Sequence, residues 1–437
     1  MSWPGAVTPS AVRSRYTFVG VGLALLLSIT SGCPPQPDNG TERLPIFNNT
    51  SDPTNKNASY VGSAACSACH PDVSEFARVH AHTQALKRIE GAAPDYPPQG
   101  TRAGVPAPPD GRSWSDVSYV IGGYTHNALF VDSAGYVLTD GVEGAHTQWV
   151  LDFSANGTVA GFAAYRSDQR TSLAYEYGCF RCHTTGAQPQ DPDDPLSQDG
   201  RPGIRGVWTE AGVQCEACHG PGSNHAPDPQ ARDVFVDATA RTCARCHTAG
   251  ADPDVILTAG GFVNANSQYA ELRASGGHAD FACTICHDPH ASVTYDRSAG
   301  VRNECAACHV DRTMARHGGK TFVRGEYVEE LRCESCHMSF ATKSVTAAPP
   351  EIVGATGRMG DVRSHIFRID TRNVDFRAMF GSDAGRVVTD SQGRAAVTLD
   401  FVCLRCHTDE TAADNTAFPL SLEFASEIAQ RIHVEVP

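Results

Sequence analysis

The stretch CTICHDPH places two cysteines and two histidines within eight residues. Cys283 and Cys286 are spaced i, i+3, His287 follows directly, and His290 comes three residues later. Two thiols at this spacing occur in zinc sites, in redox disulfides and in the attachment sites of c-type haem. Only haem attachment needs a histidine directly after the second cysteine. On one helical turn the thiols can reach the two vinyl groups at one porphyrin edge, while the imidazole reaches the iron.

The five-residue pattern C-x-x-C-H occurs eight times in the chain. Chance would give roughly 0.03 such patterns at this cysteine and histidine content. The repeats use all but one of the 17 cysteines, so no second set of thiols remains for disulfides or zinc. We therefore predict eight covalently attached c-type haems. The predicted attachment thiols are Cys66, Cys69, Cys179, Cys182, Cys215, Cys218, Cys243, Cys246, Cys283, Cys286, Cys305, Cys308, Cys333, Cys336, Cys403 and Cys406. The predicted proximal iron ligands are His70, His183, His219, His247, His287, His309, His337 and His407.

The supply of histidines decides what the irons can do. Of the 18 histidines, the eight proximal ones leave ten for the opposite, distal faces. An imidazole on both faces keeps iron six-coordinate and low-spin, so it exchanges electrons but binds no substrate. We predict mostly bis-histidine ligation. The distal candidates are His82, His225, His278, His290, His317, His365, His126 and His146.

Position in the sequence limits which iron a candidate can reach. His290 lies too close to His287 to reach the opposite face of the same porphyrin, so it should ligate a neighbouring haem. The same argument applies to His278 and His225, which lie a few residues from a motif, and His317 lies between two motifs. Such crossed ligation would join consecutive motifs into one block.

The remaining histidines leave alternatives open. His80 competes with His82, two residues away. His126 and His146 lie in predicted strands, where an exposed histidine fits equally well. His433, on the last predicted helix, is equally undecided. If one distal position stays unfilled, we expect the open haem to be that of His183 or His407.

The N-terminal region has the features of an export signal. Arg13 and Arg15 precede the apolar run FVGVGLALLL, which is too short for a permanent membrane span. The small residues TSG then lead into Cys33, a pattern typical of bacterial lipoproteins, with an ordinary signal peptide as the alternative. We predict a signal at residues 1–32, lipidation of Cys33, and a flexible tether at residues 33–58. The predicted location is the periplasm or the outer membrane of a Gram-negative-type bacterium.

The spacing of the motifs predicts the fold. Six motifs fall within residues 176–345, and segments this short cannot bury an apolar core without the porphyrins. We predict a mainly α and irregular, haem-cored chain with a small β-hairpin element. Residues 59–175 would hold the first haem and two hairpins, residues 176–345 a six-haem block, and residues 346–437 the last haem and a terminal helix. Alternation also predicts a third hairpin at residues 385–401.

A net charge of −14 bears on the partners. It argues against nucleic acid and against electrostatic binding to anionic lipid. A basic protein or a small molecule fits better as redox partner. We therefore expect redox partner proteins of the cell envelope, and membrane contact only through the lipid anchor.

The segments YVGSAACSACHPDV, VIGGY, CEACHGPGSNH, CHDPH, CHMSFATKS and GDVRSHIFRI resemble the multihaem cytochrome c family that includes the tetrahaem electron carrier of hydroxylamine oxidation. The likeness covers most of the chain after residue 59. It implies an exported electron-transfer protein with stacked haem pairs, and distal ligands at His82, His225, His278, His290, His317 and His365. This chain departs from the carrier in having eight motifs, and in having His126 where an aromatic residue is expected.

Three functions fit these observations. The first is an exported, lipid-anchored octahaem cytochrome that relays electrons through closely packed haems. The second is an octahaem reductase or oxidase of nitrogen or sulfur compounds with one open haem. The third is a subunit of an extracellular cytochrome filament. No motif has lysine in place of its final histidine, as some nitrite reductases do, so the sequence favours the relay.

Overall fold

The attachment motifs form only single helical turns. The computed structural model describes residues 49–193, 195–229, 233–314, 316–344, 352–353, 357–382, 384–408 and 418–433. None of the helices in these ranges is long and apolar enough to cross a membrane. The α-helices are α1 Ser63–Ser67, α2 Pro71–Arg78, α3 Asp140–Glu143, α4 Tyr177–Phe180, α5 Cys215–His219, α6 Arg241–Ala244, α7 Gln268–Arg273, α8 Arg297–Gly300, α9 Cys333–His337, α10 Leu399–Val402 and α11 Leu422–Ala429.

Short strands are numerous. They are β1 Leu86–Arg88, β2 Val117–Gly122, β3 Asn127–Asp132, β4 Tyr136–Val137, β5 Gln148–Val150, β6 Gly161–Ala163, β7 Leu173–Glu176, β8 Thr184–Thr185, β9 Gln188–Pro189, β10 Ile204–Val207, β11 Glu210–Ala211, β12 Thr258–Ala259, β13 Phe262–Asn264, β14 Thr321–Arg324, β15 Tyr327–Glu330, β16 Thr342–Lys343, β17 Ile352–Val353, β18 Gly357–Arg358, β19 Ile369–Asp370 and β20 Val397–Thr398. Eight of them form two-stranded pairs, and the others belong to larger sheets.

Nine of these strands form one sheet, in the order β1-β2-β3-β4-β7-β10-β9, with β5 and β6 added beside β3. The predicted hairpins are present as β2–β3 and β5–β6. Gly122 and Gly123 open the β2–β3 turn with positive φ angles of 79° and 81°, which side chains disfavour. Strand β10 runs parallel to β7, so the sheet extends well past the hairpins.

The sheet has an apolar core on each face because successive side chains of a strand point to opposite sides. Tyr119 and Ile121 lie in one core with Phe180 and Trp208. Val120 lies in the other core, where it joins Phe130 and Val105. A third core near the C-terminus contains Phe262, Ile366, Val397 and Phe401. The chain therefore buries protein cores of its own beside the motifs.

The prediction of a mainly α fold is wrong. Each motif contributes only one helical turn, whereas the supposed small β-element is a nine-stranded sheet that takes strands from the predicted six-haem block. The boundary at residue 175 falls inside β7. Residues Pro45–Pro437 form one compact unit.

Two local predictions also need correction. Asn55, placed in the flexible tether, is buried, and its side chain donates to the carbonyls of His219 and Pro221 at 2.8 and 2.9 Å. The ordered chain thus begins before residue 58. At residues 385–401 the turn forms, but Val387 and Val397 donate to Ile256 and Arg368 rather than to each other. No hairpin forms there because distant segments take its backbone hydrogen bonds.

Candidate haem and electron-transfer site

The motifs have the local geometry that haem attachment requires. The amide of the motif histidine donates to the carbonyl of the first cysteine in several motifs, for example from His70 to Cys66 at 2.9 Å and from His407 to Cys403 at 3.0 Å. This closes one helical turn. The two thiols and the imidazole of these motifs therefore lie on one side of the turn.

Hydrogen bonds fix four of the proximal imidazoles in one tautomer. The Nδ1 atoms of His183, His219 and His337 lie 3.2, 2.9 and 2.8 Å from backbone carbonyls, and that of His407 lies 2.7 Å from another. Since a carbonyl only accepts, each Nδ1 carries the proton, and each Nε2 presents a lone pair. This is the arrangement of a histidine that binds a metal through Nε2.

Seven proximal histidines face a second imidazole from elsewhere in the chain, with ring centres 5.8–6.4 Å apart. An iron bound between two imidazoles at metal–nitrogen distances of about 2 Å holds their ring centres about 6 Å apart. The donor sets therefore fit c-type haem with two axial histidines. The facing pairs, proximal histidine first, are His70 with His225, His219 with His290, His247 with His82, His287 with His365, His309 with His278, His337 with His433, and His407 with His317.

His183 differs from the other proximal histidines. Among the described residues, which include every histidine of the chain, no second imidazole faces it. Its ring is held by the carbonyl of Ala85, as a ligand would be. The geometry thus provides seven histidine pairs and one proximal histidine alone.

The structure brings six of the predicted distal candidates to a proximal histidine. His82, His225, His278, His290, His317 and His365 each face one, and none faces the motif nearest to it in sequence. Burial lowers the pKa of both His82 and His365 to about 3, so these imidazoles are neutral, as metal ligands must be. Whether these residues ligate iron stays a prediction.

The structure does not bring two of the predicted distal candidates to a proximal histidine. His126 has its Nδ1 atom 4.0 Å from a carboxylate oxygen of Asp361 and faces no proximal histidine. His146 is 59% exposed and lies 2.8 Å from Asp140. His126 lies in the turn between β2 and β3, and His146 lies just before β5.

His433, unlike His126 and His146, faces a proximal histidine. It follows helix α11 and faces His337, while its Nδ1 atom is 2.9 Å from the carbonyl of Thr313. The helical periodicity before it was the only signal in the sequence. His80 stacks on His82 at 4.3 Å rather than facing a motif.

Buried charges that the sequence analysis missed connect the motifs. Glu216, 3% exposed within the third motif, accepts hydrogen bonds from the amides of Val61, Gly62 and Gly222. These hydrogen bonds hold the residues just before the first motif against the third motif. A buried carboxylate needs several donors because it has left water.

A second buried network connects the last two motifs. Arg405, 1% exposed within the eighth motif, forms hydrogen bonds of 2.9 and 3.0 Å to Glu329 and one of 2.8 Å to the carbonyl of Ser335 in the seventh. Arg363 pairs with the same glutamate at 2.8 Å. The two guanidinium groups keep the pKa of Glu329 well below its usual range, against the opposing effect of burial. Two arginines against one carboxylate leave net positive charge between the motifs.

Comparison with known proteins defines the class. Residues 154–220, which contain the second and third motifs, match the family described as cytochrome c554 and c-prime. With the repeated motifs and the facing imidazoles, this places the chain in the multihaem cytochromes c.

The comparisons also name a particular relative. The chain is 21% identical over 349 residues to the dissimilatory sulfite reductase MccA of Wolinella succinogenes, covering 65% of this chain and 47% of that protein. It thus spans about half the length of the curated relative it matches. The solved structure of the Wolinella succinogenes octahaem sulfite reductase MccA, form II, aligns with a TM-score of 0.54 at 17% identity, covering 88% of this chain and 73% of that one. The two proteins share a fold.

Proposed function

We propose that this cytochrome carries electrons through seven closed haems to one open haem, at which it reduces a small sulfur or nitrogen oxyanion. The observation that carries the proposal is the pairing of histidines. Seven proximal histidines face a second imidazole, and His183 does not.

A haem between two imidazoles and a haem with one imidazole suit different chemistry. Haem held between two imidazoles changes little in ligation when it gains or loses an electron, so it suits electron transfer. Haem held by His183 alone would have a free face for a ligand. The neutral Nε2 of His183, fixed by the Ala85 carbonyl, is the residue that would hold it.

The relatives favour the reductase hypothesis over a simple electron relay. The relative that aligns over most of this chain is named as a sulfite reductase. A reductase of such an oxyanion needs several electrons for each molecule, and a set of closed haems is a reservoir for them. The simple relay remains the alternative, and it requires that an additional ligand close the haem of His183.

The test is turnover. With reduced methyl viologen as donor, the holoprotein should oxidise the dye when sulfite, nitrite, hydroxylamine or tetrathionate is added, at tens per second or faster for the true substrate, a rate typical of enzymes. Dye oxidation without substrate is the control. If none of the compounds accelerates it, the relay is the better description.

We further propose that the protein is exported and held at the membrane by acylation of Cys33, which lies outside the described residues. The support is the N-terminal sequence, in which a charged start and an apolar run lead to TSGC. Two or more acyl chains hold a protein stably at a bilayer, whereas one chain does not. Its partners would be redox proteins of the cell envelope.

A Cys33→Ala variant should leave the membrane fraction while keeping its haem absorbance, because the lipid would be lost and the attachment motifs are untouched. Fractionation of cells with haem-stained gels measures this. Wild-type protein found soluble after export, with Cys33 unmodified or cleavage elsewhere, would contradict the anchor.

A further inference from the structure

A cavity of about 380 Å³ on the surface is lined by arginines. It lies beside the second and fourth attachment motifs, and Arg181, Arg241 and Arg245 line it together with Thr248 and Tyr269. No carboxylate is among its lining residues. The cavity therefore presents concentrated positive charge.

These arginines are not paired with carboxylates, unlike several other arginines on the surface. All three are exposed, and among the described residues none forms an ion pair. Nearby Arg273, whose guanidinium lies over the Tyr269 ring, is paired with Asp254 at 2.7 Å. Surface arginines elsewhere are paired in the same way, in Arg205 with Glu176, Arg302 with Asp288 and Arg394 with Asp390. Three arginines without a carboxylate partner thus lie together around one cavity.

The position of the cavity connects it with electron transfer. Arg181 directly precedes Cys182 in the motif of His183, and Arg245 directly precedes Cys246 in the motif of His247. The side chains of Cys182 and Cys246 are neighbours, so the two attachment sites adjoin. A molecule seated in the cavity would lie next to the attachment edges of two haems, one of which is the proposed open haem.

We propose that this cavity is the docking site for an acidic electron-donor protein, which inserts carboxylates among the three arginines. The net charge of the chain is −14, so most of its surface repels such a partner, while the cavity attracts it. A local charge of this kind steers association and fixes the orientation of the complex. The donor transfers one electron to a ferric haem, which becomes ferrous, and the donor is oxidised by that electron.

The experiment measures electron entry without needing turnover, so its failure and the failure of the proposed reductase activity are distinguishable. Oxidised holoprotein is mixed in stopped flow with reduced plant-type ferredoxin, a small acidic protein, or with the cation hexaammineruthenium(II). We compare wild type, the double variant Arg181→Gln/Arg245→Gln, and the control Arg273→Gln. All the substituted side chains are exposed, and haem content and spectra check that the variants are intact.

For the double variant we expect the ferredoxin rate to fall about tenfold and to lose most of its dependence on salt, because steering is electrostatic. The rate with hexaammineruthenium(II) and both rates of the Arg273→Gln control should stay near wild type. An unchanged ferredoxin rate, or an equal fall with both reductants, would overturn the proposal. A loss of sulfite turnover with an unchanged ferredoxin rate would assign the cavity to a small anion instead, which also overturns docking.

Discussion

Fully reduced protein should bind carbon monoxide at one haem per chain. An iron closed by two imidazoles has no free position, whereas the haem of His183 lacks a facing histidine and should take the gas. The measurement is a spectral titration of the reduced protein, with the bound gas counted against total haem. The ferric protein should correspondingly show one high-spin centre.

Variants identify the open haem. A His317→Gly variant removes the imidazole that faces His407, so the stoichiometry should rise from one to two. A His146→Gly variant removes a histidine that faces no motif and should leave it at one. Failure of wild type to bind carbon monoxide would show that another ligand closes the haem of His183. No increase for His317→Gly would instead mean that the haem of His407 is the open one.

A His290→Met variant should raise the reduction potential of the haem attached at Cys215 and Cys218. In the structure His290 faces His219 with ring centres 6.1 Å apart, not His287 of its own motif. A methionine ligand in place of histidine raises the potential of c-type haem, and axial ligands tune potentials over about 0.8 V. The thioether bonds are untouched, so haem content should stay constant. Spectroelectrochemical titration measures the shift.

Three further variants make this test specific. The shifted transition should be one that His219→Met also moves, because crossed ligation predicts that both residues bind the same iron. It should differ from the transition that His287→Met moves. His146→Met makes the same substitution at a position that faces no motif, and it should shift nothing. A shift shared with His287→Met would disprove crossed ligation.

Sequence patterns were informative where the structure depends on a short stretch of chain. The attachment motifs follow from cysteine spacing, and the β2–β3 and β5–β6 hairpins follow from alternation between turn residues. The mainly α expectation was wrong because β10 joins β7 in parallel across a connection that no periodicity reveals. The hairpin at residues 385–401 was wrong for the same reason, since distant segments satisfy its backbone.

The candidate site shows the same division. The reach argument assigned His290 and His225 to other motifs than their own, and in the structure each faces the proximal histidine of another motif. The reach argument could not choose between His433, His126 and His146. All three lie far in sequence from the motifs that had no candidate nearby. Arg405 was missed because nothing in the motif C-L-R-C-H indicates that its arginine is buried against Glu329.

The histidine pairs have a consequence for how the chain reaches its folded state. His82 faces His247 and His70 faces His225, so these pairs bring together segments far apart in the sequence. Closing such loops costs conformational entropy, and contacts of this kind form slowly. When an iron supplies the bond between the two imidazoles, its binding free energy becomes folding free energy. Cofactor supply would then control maturation, and a chain that misses haem at Cys243 and Cys246 would release two distant loops at once and become a substrate for proteases.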